Sequence, residues 1–419
     1  MKNFPLNKQE FLNLTKNIPT PFYIYDEKLI RENFKYLKQC FNIFPKFKEY
    51  FAVKACPNPF ILKILKEEGS GADCSSLPEL YLAKKVGIKN SNVIFTSNQT
   101  PKEEYLFAYN EGNIINLDDI THIEYLKKTL NNKFPETICF RYNPGDKNSD
   151  NLFIGKQTES KYGLTKNQIF EAYEICKNLG VKKFGIHIMI ASNELDINKL
   201  LIPIKIVFDL FIEIQKKCNI NIEFIDLGGG IGIPYKPDEK KIDLNFFANE
   251  VKKLYDNILK VNNLEPEIYF ECGRLITGPY GWLITKAIHE KHIYKEYIGV
   301  DACMADLMRP GIYNAYHEIS VLGKENEEKN FIYDIVGSLC ENIDKFCINR
   351  KLPKIDVGDI IIIHDVGAHG RAMGFNYNGK LRCGEYLLRE DKSLIEIRRK
   401  ETIEDYFNTI DFEKFKEFE

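Results

Sequence analysis

Short apolar runs recur through the first two-thirds of the chain, at 50–53, 71–73, 93–95, 114–117, 137–141, 184–190, 222–227 and 268–271. They have the apolar character of strands buried on both faces. Most are separated by helical patterns. Phe247, Val251, Leu254, Tyr255 and Ile258 share one helix face, as do Ile169, Tyr173 and Cys176. Pro101 with Glu103 and Glu104, then Gly112, marks the start and stop of a short helix. Residues 161–180 and 193–218 read as longer helical stretches. Strand–helix alternation predicts a parallel sheet, and eight repeats predict a closed (β/α)8 TIM-like barrel. An open, doubly wound sheet competes, because the run at 71–73 is poor.

After Gly278 the texture changes. Segments 281–288, 297–300, 318–322, 331–336, 359–364, 385–388 and 394–398 are strand-like, with little helical periodicity between them until the tail. This predicts a mostly antiparallel β-domain. A further strand at 21–25 precedes the barrel count. The expected division is a barrel over 31–277, with 1–30 and 278–419 forming the β-domain.

Composition narrows the function classes. A chain of 419 residues affords a large barrel plus a partner domain. A net charge of −2 suggests neither a nucleic-acid binder nor a polyanionic tail. The N-terminal residues lack a signal-peptide core. The most apolar stretch, 200–214, is interrupted by Pro203, Lys205, Asp209 and Glu213, so no membrane span is expected. Eleven cysteines, none in a C-x-x-C pair, point to a reducing cytoplasm without a structural zinc site, and no metal is expected.

In such barrels the loops after the strands build the active site. Lys54 follows the first strand, Asp73 the second and Arg141 the fifth. His187, Met189 and Ser192 follow the sixth, Gly228, Gly229 and Gly230 the seventh, and Glu271, Cys272, Gly273 and Arg274 the eighth. A lysine aimed inward at a strand end is costly to desolvate. Bonding an aldehyde covalently, as a desolvated and partly deprotonated amine, is one use that offsets this cost. Other readings stand beside these. Lys54 also suits a surface lysine with its stem on apolar neighbours, Asp73 a helix N-cap, and His187 a hydrogen-bonded core histidine. Three glycines after a strand suit a turn or an anion cradle, and they match neither the nucleotide P-loop nor G-x-G-x-x-G. Lysine, phosphate cradle and acid on one rim suit pyridoxal 5′-phosphate, with Glu271 facing the pyridine nitrogen.

These residues resemble the alanine-racemase-like (type III) pyridoxal-phosphate decarboxylases, over nearly the whole chain. Phe51-Ala52-Val53-Lys54-Ala55 is similar to the family's Y-A-V-K-A box, whose lysine carries the cofactor. The segment from Gly71 through Asp73 and Ser76 to Glu79 resembles G-x-D-x-x-S-x-x-E, and Glu271–Arg274 resembles E-P-G-R. Within the family the likeness is to the diaminopimelate decarboxylases. Leu307-Met308-Arg309-Pro310, with Tyr313, is similar to their L-M-R-P-x-x-Y. Gly337 to Asp344 resembles G-x-x-C-E-x-x-D, and Asp365-Val366-Gly367-Ala368 and Asn376-Tyr377-Asn378 match the later pieces.

The resemblance implies decarboxylation of meso-2,6-diaminopimelate to L-lysine and CO2. It implies cofactor contacts from Lys54, Asp73, Arg141, His187, Ser192, Gly228, Gly229, Gly230, Glu271, Gly273, Arg274 and Tyr377. Substrate contacts fall to Arg274, Arg309, Tyr313, Glu341 and Tyr377. Cys340 is the implied proton donor, reaching the neighbouring subunit's site with Glu341 in a homodimer. A bidentate arginine suits the substrate's distal carboxylate, which ornithine lacks; Arg309 alone also suits a surface salt bridge. The alternatives are a decarboxylase of another basic amino acid, such as ornithine or arginine, and a non-catalytic cofactor-binding relative. Three positions depart from the family: Met189 replaces the second histidine of H-x-H, Cys272 the proline of E-P-G-R, and His369 the tyrosine after D-x-G-A.

Overall fold

The structure, a computed structural model, describes residues 2–145 and 157–417. The chain divides into two compact units. One comprises residues 31–234 and 240–276; the other comprises 1–30, 235–239 and 277–419.

The first strand, β1 (Phe22–Asp26), belongs to the second unit. The next eight close a parallel barrel: β2 (Phe47–Ala52), β3 (Gly71–Cys74), β4 (Val93–Thr96), β5 (Ile114–Leu117), β6 (Thr137–Tyr142), β7 (Lys183–Ile188), β8 (Ile222–Asp226) and β9 (Glu267–Phe270). The weak run at 71–73 is thus a full barrel member, paired with β2 and β4. Tyr50, Ile94, Ile114, Cys139, Phe224 and Tyr269 fill the barrel interior. Phe224 and Tyr269 stack there with centroids 4.7 Å apart. Gly185 makes room for this: a Cβ there would meet the Phe224 ring at 2.1 Å. The interior is therefore a packed floor, and functional groups collect at the strand C-termini above it.

The helical stretches are shorter than the periodicity suggests. The first begins at Lys166, because Thr165 and Gln168 form a capping box. The other begins at Ile197, where the Asp196 side chain accepts the Asn198 N–H. Leu244–Leu254 passes into a π-turn, Tyr255–Leu259, whose extra residue rotates the buried face. Leu259 is consequently buried, while Ile258 is only half-buried.

The second unit carries β1 and eight further strands: β10 (Gly281–His292), β11 (Glu296–Val300), β12 (Ile319–Val321), β13 (Phe331–Val336), β14 (Lys345–Leu352), β15 (Ile360–Ile363), β16 (Gly384–Leu388) and β17 (Leu394–Arg398). The sheet runs β14-β13-β11-β10-β1-β16-β17, with β15 joining β10 and β12 joining β15. Pairing is antiparallel except for β1 with β16 and β11 with β13. Trp282, Phe22, Ile24, Ile284 and Ile362 lead its core. The β14 strand has no counterpart among the expected segments. Its sequence, KFCINRKL, interrupts its apolar residues with charge because it lies at the sheet edge and faces solvent along half its length.

Candidate active site

Strand β2 ends at Ala52, and Lys54 sits two residues beyond it, in the tight turn Val53–Ala55. Its Nζ lies 3.1 Å from Oδ2 of the buried Asp73 on β3. Asp73 is therefore a strand residue, not a helix cap. The Lys54 side chain retains 53% of its accessible surface. The Asp73 charge, opposed by burial and reinforced by Glu271, raises the ammonium above its ordinary pKa. This corrects the expectation of a partly deprotonated amine: the carboxylates beside it outweigh desolvation. The Asp73 carboxyl is in turn pushed up to about 7, by burial and by the Glu271 charge, with Lys54 opposing.

Strands β7, β8 and β9 end in a second cluster. His187 Nε2 lies 3.3 Å from Glu271 Oε2, and both side chains are buried. Among the described residues, His187 Nδ1 has no hydrogen-bond partner. Asp226, the last residue of β8, accepts the Gly228 N–H at 2.8 Å. The ligand-type atoms of His187, Asp226 and Glu271 lie within 4.8 Å of one another. Burial works against the Glu271 charge, but His187, Lys54 and a hydrogen bond with Asp226 hold it down at about 2. Asp226 moves the opposite way, driven up by burial and by Glu271. Of this pair, Glu271 is the acid favoured to hold the charge.

The glycine turn closes over this cluster. Gly228 and Gly230 have φ of +65° and +92°, open to glycine at little cost. A Cβ on Gly229 would lie 2.4 Å from the Glu271 carbonyl oxygen, and one on Gly230 2.4 Å from that of Ala191. The glycines therefore let the turn seat against the ends of β7 and β9. The Gly229 N–H meets the Met189 sulfur at 3.1 Å, a weak acceptor.

Around this rim, Arg141 lies 3.6 Å from Asp118, donates to the Met189 carbonyl at 3.3 Å and stacks on Tyr162. Gly273 approaches the lysine turn closely, since a Cβ there would meet Ala55 Cβ at 2.6 Å. The Cys272 N–H donates to the buried Glu49 at 2.6 Å, a bond that proline could not make. Arg274 opens a one-turn helix and is half-buried, and Ser192 is exposed. Sequence reasoning missed Asp226 and Asp118. Each is a buried acid at or just past the end of an apolar run, the same signal that singled out Asp73.

The remaining candidates lie in the second unit. Asp344 ties their loops together by accepting the N–H groups of Met304 and Leu339, at 2.7 and 2.8 Å. The Cys340 N–H donates to Asn378 Oδ1 at 2.7 Å, joining the Cys340 loop to the turn Tyr377–Gly379. Gly311 lets the helix Arg309–Tyr313 approach Ile343, whose carbonyl oxygen would lie 2.6 Å from a Cβ there. Arg309 lies over the Tyr235 ring, 5.2 Å from its centroid. Tyr313, Glu341 and Tyr377 are exposed. None of the eleven cysteines is in a disulfide, and Cys340 alone among them is exposed. His369 adopts φ +54°. Among the described residues no helix is long and apolar enough to cross a membrane.

Comparison with known proteins gives concordant matches. Residues 27–278 match the family described as "Pyridoxal-dependent decarboxylase, pyridoxal binding domain". The chain is 38% identical to Protein TabA of Pseudomonas amygdali pv. tabaci, over 96% of this chain and 93% of that protein. It is 34% identical to diaminopimelate decarboxylase of Methanothermobacter thermautotrophicus, over 94% of this chain and 92% of that one. A crystal structure of diaminopimelate decarboxylase from M. jannaschii in co-complex with L-lysine superposes with a TM-score of 0.88 at 29% identity, covering 96% and 94% of the two chains.

Proposed function

The chain belongs to the pyridoxal-dependent decarboxylases, and from that premise we propose that it converts meso-diaminopimelate to L-lysine and CO2. The observation that carries this reading is the arrangement on one barrel rim of Lys54 beside Asp73, the glycine turn and the His187–Glu271 pair. Relatives named for diaminopimelate decarboxylation, at up to 34% identity over most of the chain, support the substrate.

The residues present fit pyridoxal phosphate. Among the described residues, His187 Nδ1 is buried without a partner, and the Gly229 N–H has only a sulfur to meet. Lys54 would hold the aldehyde, Glu271 would face the ring nitrogen, and Gly228–Gly230 would hold the phosphate. Arg141, His187, Ser192, Gly273, Arg274 and Tyr377 would complete the pocket. When bound, the cofactor supplies a carbonyl for the substrate amine and a ring that withdraws electrons from Cα.

The chain's own residues do the rest. Asp73 holds the Lys54 ammonium and is placed to take its proton, which frees the amine. Glu271 keeps a fixed negative charge at the strand end. Arg309 and Arg274 take the distal carboxylate, and Glu341 takes the distal ammonium. Tyr313 and Tyr377 line the substrate. Cys340 gives Cα the proton that replaces the lost carboxylate. Cys340 and Glu341 act in the neighbouring subunit of a homodimer, in the cytoplasm.

A second reading is that the chain decarboxylates another basic amino acid, such as ornithine or arginine; TabA, a relative at 38% identity, is not named for diaminopimelate. Measuring CO2 release from meso-diaminopimelate, ornithine and arginine separates the two. Release from diaminopimelate, with formation of L-lysine, is the expected result. Release from ornithine or arginine but not diaminopimelate overturns it.

A further inference from the structure

Met189 stands where the family's H-x-H pattern carries its second histidine, and its surroundings give it a use of its own. Its backbone is anchored: its carbonyl accepts Arg141 Nη2 at 3.3 Å, directly after β7. Its side chain is folded back onto the glycine turn. The sulfur lies 3.1 Å from the Gly229 nitrogen, and a Cβ on Gly228 would meet it at 3.0 Å. The side chain is half-buried, so part of it already faces solvent.

Two acceptors compete for that Gly229 N–H. A thioether accepts a hydrogen bond weakly. An anionic oxygen accepts roughly twice as strongly as a neutral one. The methionine side chain is unbranched and turns about several single bonds, so the sulfur is displaced without moving the anchored backbone. A histidine ring is stiffer and could not fold away in this manner.

We propose that the Met189 thioether is a displaceable cap on the anion cradle: it covers the Gly229 N–H and swings off when a phosphate oxygen takes that donor. The proposal rests on the reading that Gly228–Gly230 hold the cofactor's phosphate. Met189 is then a positioning residue, setting how readily the turn accepts an anion.

Inorganic phosphate binding to the cofactor-free full-length chain tests this. Met189→Leu keeps the side chain's volume but offers no acceptor, so phosphate has no bond to displace. Met189→Leu and Met189→Ala are expected to bind phosphate roughly threefold more tightly than the natural chain, the scale of one weak hydrogen bond. A second readout uses hydrogen peroxide, which transfers one oxygen to the sulfur, giving the sulfoxide and water. Saturating phosphate is expected to speed oxidation of Met189 relative to Met308 and Met373, measured by peptide mass spectrometry. If phosphate binds but neither its affinity in the variants nor the oxidation rate changes, the cap is overturned and the cradle stands. If phosphate binds no form of the protein, and pyridoxal phosphate binds no better than pyridoxal, the cradle reading falls and the cap with it.

Discussion

Lys54 and Asp73 set the pH behaviour of the rim. The Asp73 charge, opposed by burial and reinforced by Glu271, raises the Lys54 ammonium above its ordinary pKa. An amine must be neutral to bond an aldehyde, so the pair imposes a pH threshold on cofactor capture. Asp73→Asn removes the largest contributor. The midpoint of cofactor capture against pH is then expected to fall by about one unit or more. An unchanged midpoint, measured by stopped-flow absorbance on the cofactor-free protein, would contradict this account. The residue types at the rim were legible because charged groups are conspicuous at the ends of apolar runs. Their protonation was not. Whether Lys54 is charged depends on Asp73 and Glu271, far away in sequence, and only the closed barrel brings them together. Asp226 escaped notice for a related reason: an acid inside Ile-Asp-Leu-Gly reads as an interruption until its Gly228 bond is seen.

Elements buried on both faces read clearly, and exposed ones did not. Seven of the eight barrel strands appear as clear apolar runs because neither face meets water, and β3 as a weak one. β14 was hidden because an edge strand must carry charge. The π-turn Tyr255–Leu259 was illegible because periodicity assumes a constant turn. In the second unit, β15 leads into His364, which the sequence did not mark. Its Nδ1 accepts the Trp282 indole N–H at 3.2 Å, and its Nε2 meets the Ser320 hydroxyl at 2.8 Å. Burial lowers its pKa to about 4. The unfolded chain takes up a proton below about 6.5, while the folded chain resists until about 4. Stability should therefore drop as pH falls between those values, by about 3 kcal/mol. Asp365, raised to about 6 by burial, runs the other way: its contribution is lost as pH rises from about 3.8 to about 6. The difference between the natural chain and His364→Gln isolates the histidine. Urea unfolding followed through Trp282, the single tryptophan, is expected to show the acid-side descent only in the natural chain. Equal slopes in both would refute it.

Our reading draws its catalytic residues from both units and from two subunits. Exposure of Cys340, alone among eleven cysteines, accords with a thiol that serves a neighbour's site. Mixing Lys54→Ala with Cys340→Ala, each inactive alone, tests the sharing. Random reassociation places one intact site in half of the dimers, so about a quarter of natural activity should return. No recovery after confirmed subunit exchange would rule out a shared site. The expected assembly rests only on resemblance, because no run or spacing in one chain encodes which loop meets a second copy.

The absorption spectrum of the cofactor-loaded protein beside that of Lys54→Ala tests the central claim most directly. The natural protein is expected to absorb near about 420 nm, to change on adding meso-diaminopimelate, and to lose the band when Lys54 is replaced. A band that survives the replacement unchanged would place the cofactor's attachment elsewhere and contradict the account.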